Sequence, residues 1–273
     1  DAYSGGNVTA NFGQDGTFLG TETAQGNTDD NGQGNFYYAP PSGYLALCSA
    51  NLPDPTIGPQ TTTQADDHFN TFLYTGTNAT NRNIASNTFT PDWVWLKSRS
   101  QTDNHVIVDS SRVTGTHLDS SAVYPNLHTN TTDHEVSDSH PKIITNGVQV
   151  SQGLYDNNNV TFVVWNWKAN GGSLTTNDAS STSIGTIDSV FQANDTSGFS
   201  IVTYTGTGSA GTVRHGLSVA PSLVIIKSRT TASPANWVIG QDAIGFTGQN
   251  YFTDISAFST NSGSFNNTAP TTS

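Results

Sequence analysis

Pro91-Asp92-Trp93-Val94-Trp95-Leu96-Lys97-Ser98-Arg99 recurs 130 residues later as Pro221-Ser222-Leu223-Val224-Ile225-Ile226-Lys227-Ser228-Arg229. Each version opens on a proline, where a missing N–H costs a strand least. Each then runs through four apolar residues before Lys-Ser-Arg. A stretch apolar on both faces of its pleat predicts a central strand. Outward from these strands, the match extends back to Phe69…Tyr74-Thr75-Gly76-Thr77 against Phe199…Tyr204-Thr205-Gly206-Thr207. The 31 positions align without a gap and ten are identical. Chance composition gives roughly two, so the chain carries an internal duplication. Past a two-residue length difference, Asn104-His105-Val106-Ile107 aligns with Asn236-Trp237-Val238-Ile239. Two copies are too few for a solenoid or propeller. A tandem pair of antiparallel β-sandwich units, jelly-roll or concanavalin-like, is the simpler reading.

Within a repeat, Phe69 to Tyr74 reads as a strand and Thr75-Gly76-Thr77 as its turn. Val160-Thr161-Phe162-Val163-Val164-Trp165-Asn166-Trp167 is a third strong strand, which closes repeat one. Repeat two has no counterpart of it. The expectation is that repeat two borrows a strand, buries its face in an oligomer, or continues beyond this sequence. Residues 69–180 and 196–273 are expected to superpose strand for strand, Tyr74 over Tyr204 and Lys97 over Lys227. Ahead of the repeats, Val8 to Gln14 is strand-like. Pro40-Pro41-Ser42-Gly43 re-aims the chain. Cys48, in the apolar run Leu45-Ala46-Leu47-Cys48, reads as a small buried hydrophobe.

Composition agrees with an all-β chain. Charged residues make up 11%, Met is absent, and 26 Gly with 11 Pro supply turns between many short strands. The formal net charge of −12 argues against a nucleic-acid partner and against anionic membrane surfaces. No stretch resembles a membrane span. One cysteine excludes an intrachain disulfide and a Cys-based zinc site.

Two sets of residues are candidates for binding. Lys97, Arg99, Lys227 and Arg229 hold four of the nine cationic side chains. They read either as a grip on acidic sugars or partner carboxylates, or as strand-end charges that neutralise nearby aspartates. The segment from His117 to His140 is a long insertion between scaffold strands. In it His128, His134, Glu135 and His140 are candidate ligands for a structural cation, although their spacing matches no zinc motif. Asp29, Asn31 and Gln33 alternate as in a calcium loop, but Pro40 stands where the bidentate Glu belongs, so the segment reads as a flexible loop instead. The tryptophans Trp93, Trp95, Trp165, Trp167 and Trp237 lie in strands and read as core rather than as a sugar platform. No nucleophile elbow, phosphate loop or dinucleotide motif is present, and no cofactor or enzymatic activity is expected.

Phe12-Gly13-Gln14 with Tyr38-Ala39-Pro40-Pro41-Ser42-Gly43-Tyr44-Leu45-Ala46-Leu47 resembles the end of a SPRY-like, concanavalin-type sandwich of phage proteins. The Tyr-Thr-Gly-Thr, Pro-x-x-Val and Lys-Ser-Arg pattern, with Trp165-Asn166-Trp167-Lys168, resembles a repeat domain of tail-fibre-like and other virion proteins of marine phages and cyanophages. The resemblance implies four regions: a SPRY-like end over 1–48, a linker over 49–66, and repeats over 67–180 and 181–273, the second incomplete. It implies a structural component of the virion surface, a fibre, appendage or capsid-surface protein that contributes to host attachment. Its partners would be other virion proteins and copies of itself. A receptor- or glycan-binding module engaging the host surface is the alternative, and an extracellular depolymerase a third reading.

Overall fold

The computed structural model describes residues 11–52, 64–230, 236–252, 258–260 and 262–272. The chain divides into two compact units, Asp1–Thr56 and Ile57–Ser273.

In the first unit, residues 11–52 are loop-built. Among the described residues their only strand-like pairing is the bridge Asn27↔Phe36. Of the strand expected over Val8–Gln14, residues 11–14 form a bend and residues 8–10 lie outside the described residues. The organiser is Asp29, which is buried. Its carboxylate accepts N–H bonds from Asn31 (2.9 Å), Gln33 (2.8 Å) and Ala46 (2.8 Å), and the Asn51 side-chain amide at 2.6 Å. Desolvation works against the ionised form, but these bonds outweigh it and hold the carboxyl below its ordinary range. The Asp29 oxygens are thus committed to loop donors, which replaces the calcium-loop reading. Gly34 has φ +89°, and a Cβ there would sit 2.9 Å from the Ala46 methyl, so this position needs glycine. Leu45 and Leu47 are exposed and Cys48 is half-buried. The apolar run expected inside is a surface run from which only Ala46 turns inward.

The second unit contains β1 (Phe69–Thr75), β2 (Arg82–Ala85), β3 (Trp93–Ser98), β4 (Val106–Asp109), β5 (Leu127–His128), β6 (Lys142–Ile144), β7 (Gly147–Val150) and β8 (Thr161–Trp167). There follow β9 (Thr175–Asn177), α1 (Ala179–Thr182), β10 (Ser189–Asn194), β11 (Phe199–Tyr204), β12 (Leu223–Ile226), β13 (Val238–Gln241), β14 (Gly248–Tyr251), β15 (Ser259–Thr260) and α2 (Ser262–Phe265). The sheets are β1-β8-β3-β4-β5, β2-β7-β6, β11-β10-β9 and β12-β13-β14-β15, and every pairing is antiparallel.

Repeat one is a sandwich. The inward residues of the five-stranded sheet are Phe72, Tyr74, Val94, Leu96, Val106, Val108, Phe162 and Val164. They pack with Ile143, Val148 and Val150 of the three-stranded sheet into one core. β8 lies between β1 and β3, as its apolar run demands. The register pairs Trp93 with Trp167 and Trp95 with Trp165, which puts four tryptophans on the outer face of the same sheet. That face is covered by repeat two. Phe199 stacks on Trp93 at a ring distance of 5.6 Å, and Phe252 lies 5.7 Å from Trp95 and 6.0 Å from Trp237. Trp237 and Ile225 join Ile107 and Leu127 in a second apolar cluster. The tryptophans are therefore packing residues, with Trp237 buried and the other four half-buried.

The duplication survives in the hairpin that follows each Pro-x strand start. Val94↔Val108 and Leu96↔Val106 become Val224↔Gly240 and Ile226↔Val238. The Ser110 N–H donates to the Asp92 carbonyl at 2.8 Å, and the Asp242 N–H to the Ser222 carbonyl at 3.0 Å. The duplication fails at sheet level. β1 and β3 share a sheet through β8, whereas β11 and β12 lie in different sheets. β12, expected to be central, is an edge strand with Leu223 exposed, because no strand of β8 type stands beside it among the described residues. The boundary expected at 180 falls inside α1, and β9 pairs with β10 of the following repeat.

Phe162→Ala should cost about 3–5 kcal/mol by opening a cavity between the two sheets. Leu73→Ala, on the exposed face of an edge strand, should stay within about 0.5 kcal/mol. Denaturant midpoints of the two variants measure this, and equal shifts would mean the sandwich interior is misplaced.

Candidate functional site

The insertion between β4 and β6 begins with a tight turn. The Asp109 carboxylate accepts the N–H groups of Ser111 (3.0 Å) and Arg112 (3.1 Å), and the Arg112 Nε at 2.6 Å. Arg112 Nη1 reaches Glu135 Oε2 at 2.8 Å. From repeat two, Arg229 grips the same carboxylate with two bonds, Nε to Oε2 at 2.8 Å and Nη2 to Oε1 at 3.0 Å. The Glu135 N–H donates to the Arg229 carbonyl at 3.0 Å. This bidentate fork is the geometry that arginine supplies and lysine does not. The Arg112 side chain is 4% exposed, Glu135 16% and Arg229 41%, so the network runs from interior to surface. Burial works to raise the Glu135 pKa, but hydrogen bonds and charge from Arg229 and Arg112 hold it below the usual carboxylate range.

Of the other candidate cations, Lys97 and Lys227 bond scaffold carbonyls through their side chains. The Lys97 ammonium donates to the backbone carbonyls of Ser98 and Gln101. The Arg99 side chain is exposed, and its N–H bonds the Thr161 carbonyl at 2.7 Å. Lys227 reaches the Thr132 carbonyl at 3.0 Å, and burial lowers its pKa. Lys227 and Arg229 thus fasten repeat two to the insertion of repeat one.

The histidines do not assemble with Glu135. The His128 carbonyl accepts the Trp237 indole N–H at 2.7 Å, His134 is exposed, and His140 is buried with Nδ1 3.1 Å from the Ser139 hydroxyl. Among the described residues no three His, Cys, Asp or Glu side chains come together as a metal ion would require. Burial pushes His105, His117, His128 and His140 below the ordinary imidazole pKa. His105 Nδ1 accepts the Trp95 indole N–H at 3.0 Å, which requires the neutral ring.

Two buried aspartates were not singled out from the sequence. Asp92 accepts the N–H groups of Ala169 (2.7 Å), Gly171 (2.9 Å) and Gly172 (2.7 Å) and the Ser110 hydroxyl (2.7 Å). Gln192 of β10 joins that turn through Gly172 and the hydroxyls of Ser110 and Ser111. Asp156 accepts the N–H of Thr77 (3.2 Å) and of Ala79 (2.9 Å) and Arg82 Nη1 (2.9 Å). Tyr74, stacked on Phe162, donates its hydroxyl to the Tyr155 carbonyl, and burial drives its pKa up. A Cβ on Gly76 would fall 2.0 Å from the Asn157 carbonyl oxygen. The Tyr-Thr-Gly-Thr motif of repeat one is therefore a seat for Tyr155-Asp156-Asn157. The recurrence of the motif was the available signal; its partner occurs once and gave none. Near this seat lies a groove of about 400 Å³, lined by Asn81, Asp138, His140, Gln152 and Tyr155 among others.

The chain belongs to the family described as a domain of unknown function, DUF7483, whose model matches residues 64–273 and so spans both repeats. No curated protein and no solved structure matches the chain.

Glu135→Ala should cost about 2–3 kcal/mol, because Arg112 is left buried with one carboxylate instead of two. Arg99→Ala should change little. The pH dependence follows from the signs. His105, His117 and His128, which are half-buried, and the buried His140 have lowered pKa values, so their contribution is complete above the ordinary value of 6.5 and falls as pH drops below it. Glu135 contributes fully above 4.5 and loses that contribution as pH falls through its lowered value. A thermal melt series should show two acid stages, and Glu135→Gln should shrink only the second.

Proposed function

We propose that the chain is a structural component of a tailed phage particle, a fibre, appendage or capsid-surface protein that contributes to host attachment. The observation that carries this reading is the duty of the repeated motif. Tyr74, Gly76 and Thr77 seat a neighbouring loop, Lys97 binds carbonyls of its own strand end, and Lys227 and Arg229 clamp one repeat to the other. In repeat one these recurring residues bond scaffold groups, which supports a structural duty for them. The resemblance of the same motifs to virion repeats supports the virion surface as the location. Other virion proteins and copies of this chain are the partners in this reading. The acidic, weakly charged composition suits a protein displayed at high copy number.

A second reading, engagement of a host-surface glycan, is favoured by the groove beside Tyr155. It brings the amides of Asn81 and Gln152 and the Asp138 carboxylate to one place, polar groups of the kind that bond sugar hydroxyls.

Antibody to the chain should decorate intact particles in immuno-electron microscopy, and purified chain should compete with particles for host cells. Unlabelled particles would overturn the structural reading. If Asn81→Ala with Gln152→Ala abolishes competition while particles stay labelled, the groove is the receptor site.

A further inference from the structure

Repeat one shows what its strands require. β8 pairs with β1 and β3 together, and Tyr155-Asp156-Asn157 just ahead of it fills the seat made by Tyr74-Thr75-Gly76-Thr77. Among the described residues, repeat two presents the same seat empty. Tyr204 is 43% exposed where Tyr74 is 8%, and Gly206, whose counterpart touches Asn157, has nothing within 4 Å of a Cβ. Thr205 to Thr207 are exposed. The strand edge is empty as well. β12 pairs only with β13 among the described residues. Its register with β13 and the Asp242-to-Ser222 backbone bond reproduce those of β3 with β4. The open edge of β12 is therefore the edge that β8 covers on β3. Val94 and Leu96 are buried in repeat one, whereas Val224 and Ile226 are only half-buried. Phe199 of β11 and Ile225 of β12 both pack on the outer tryptophan face of repeat one, yet their strands do not pair.

We propose that repeat two is a strand-acceptor site, which binds an extended segment of another polypeptide antiparallel to β12. The occupant's chemistry is given by repeat one: an aspartate at the leading end, then a strand with apolar residues on both faces, as in Tyr155–Trp167. The match is one of shape and hydrogen bonding: the Thr77 N–H and hydroxyl donate to the Asp156 carboxylate in repeat one, and Thr207 keeps the corresponding N–H with a hydroxyl that makes only a 3.4 Å bond to the Ser209 carbonyl, whereas Thr212 stands where Arg82 pairs with Asp156. A second copy pairing its own β12 across the edge would satisfy backbone groups but would bring no carboxylate to Thr207. Main-chain bonds would supply affinity and the aspartate specificity. This inference does not rest on the particle reading, since strand capture is a property of the purified chain.

The test is a labelled peptide of residues 155–168 titrated into the full 273-residue chain and followed by fluorescence anisotropy. Saturable one-to-one binding is expected. It should weaken at least tenfold when the peptide carries Asp156→Ala, and equally when the chain carries Gly206→Val, which blocks the seat at a position with open space around it. As a second measurement, the peptide fused by a flexible linker after Ser273 should raise the melting temperature by about 5 °C in the native chain and leave the Gly206→Val chain unchanged. Absence of both binding and melting shift overturns the proposal. So does binding indifferent to both substitutions, or pairing of the chain with its own copy that excludes the peptide.

Discussion

A sheet with two apolar faces has to be covered twice, and that constraint organises the Ile57–Ser273 unit. The β1-β8-β3-β4-β5 sheet presents Val94, Leu96, Phe162 and Val164 on one side and Trp93, Trp95, Trp165 and Trp167 on the other. The small β2-β7-β6 sheet closes the first face. The second is too large to leave in water, since each indole carries roughly 150–250 Å² of surface. Repeat two supplies the cover with Phe199, Ile225, Trp237 and Phe252. Packing between repeats is thus a consequence of which residues occupy alternate positions on two strands.

Polar bonds fix the alignment that apolar contact alone would leave free. Gln192 joins β10 to the Ser110 turn, the Trp237 indole bonds the His128 carbonyl, and Arg229 holds Glu135. Buried aspartates serve the same end within each unit. Asp29, Asp92 and Asp156 each gather backbone N–H groups from chain segments that lack regular pairing. In a chain rich in loops, a carboxylate that accepts several N–H bonds does what a helix or sheet ladder does elsewhere. Part of the acidity therefore belongs to the architecture, beyond any part it plays in solubility.

Identical residues meet different fates in the two repeats. Tyr74 and Gly76 are enclosed by Tyr155–Asn157 while Tyr204 and Gly206 are open, although the motif is the same. The difference lies in what surrounds the motif: the insertion and β8 exist in repeat one and have no counterpart among the described residues of repeat two. One repeat is complete and bears the other. The other leaves one edge of β12 unpaired among the described residues.

The sequence by itself determined the class and the strongest strands. Phe69–Tyr74, Trp93–Leu96 and Val160–Trp167 were legible because strands favour branched and aromatic residues and a run apolar on both faces marks a central strand. The duplication was legible because aligned identity needs no geometry. Of the candidate residues, Lys97, Arg99, Lys227 and Arg229 were found by recurrence, but their partners were not: Glu135 lies 94 positions from Arg229 and was grouped instead with the histidines. His128, His134 and His140 share an insertion in sequence and separate in space, since spacing along a loop carries no periodic rule for direction. Tertiary structure alone decided that the tryptophans form an interface between repeats, that Asp92 and Asp156 are buried, and that β12 stands at an edge. Each of these depends on contacts between residues far apart in the chain, and such contacts are set by how sheets stack once formed, for which local pattern holds no record.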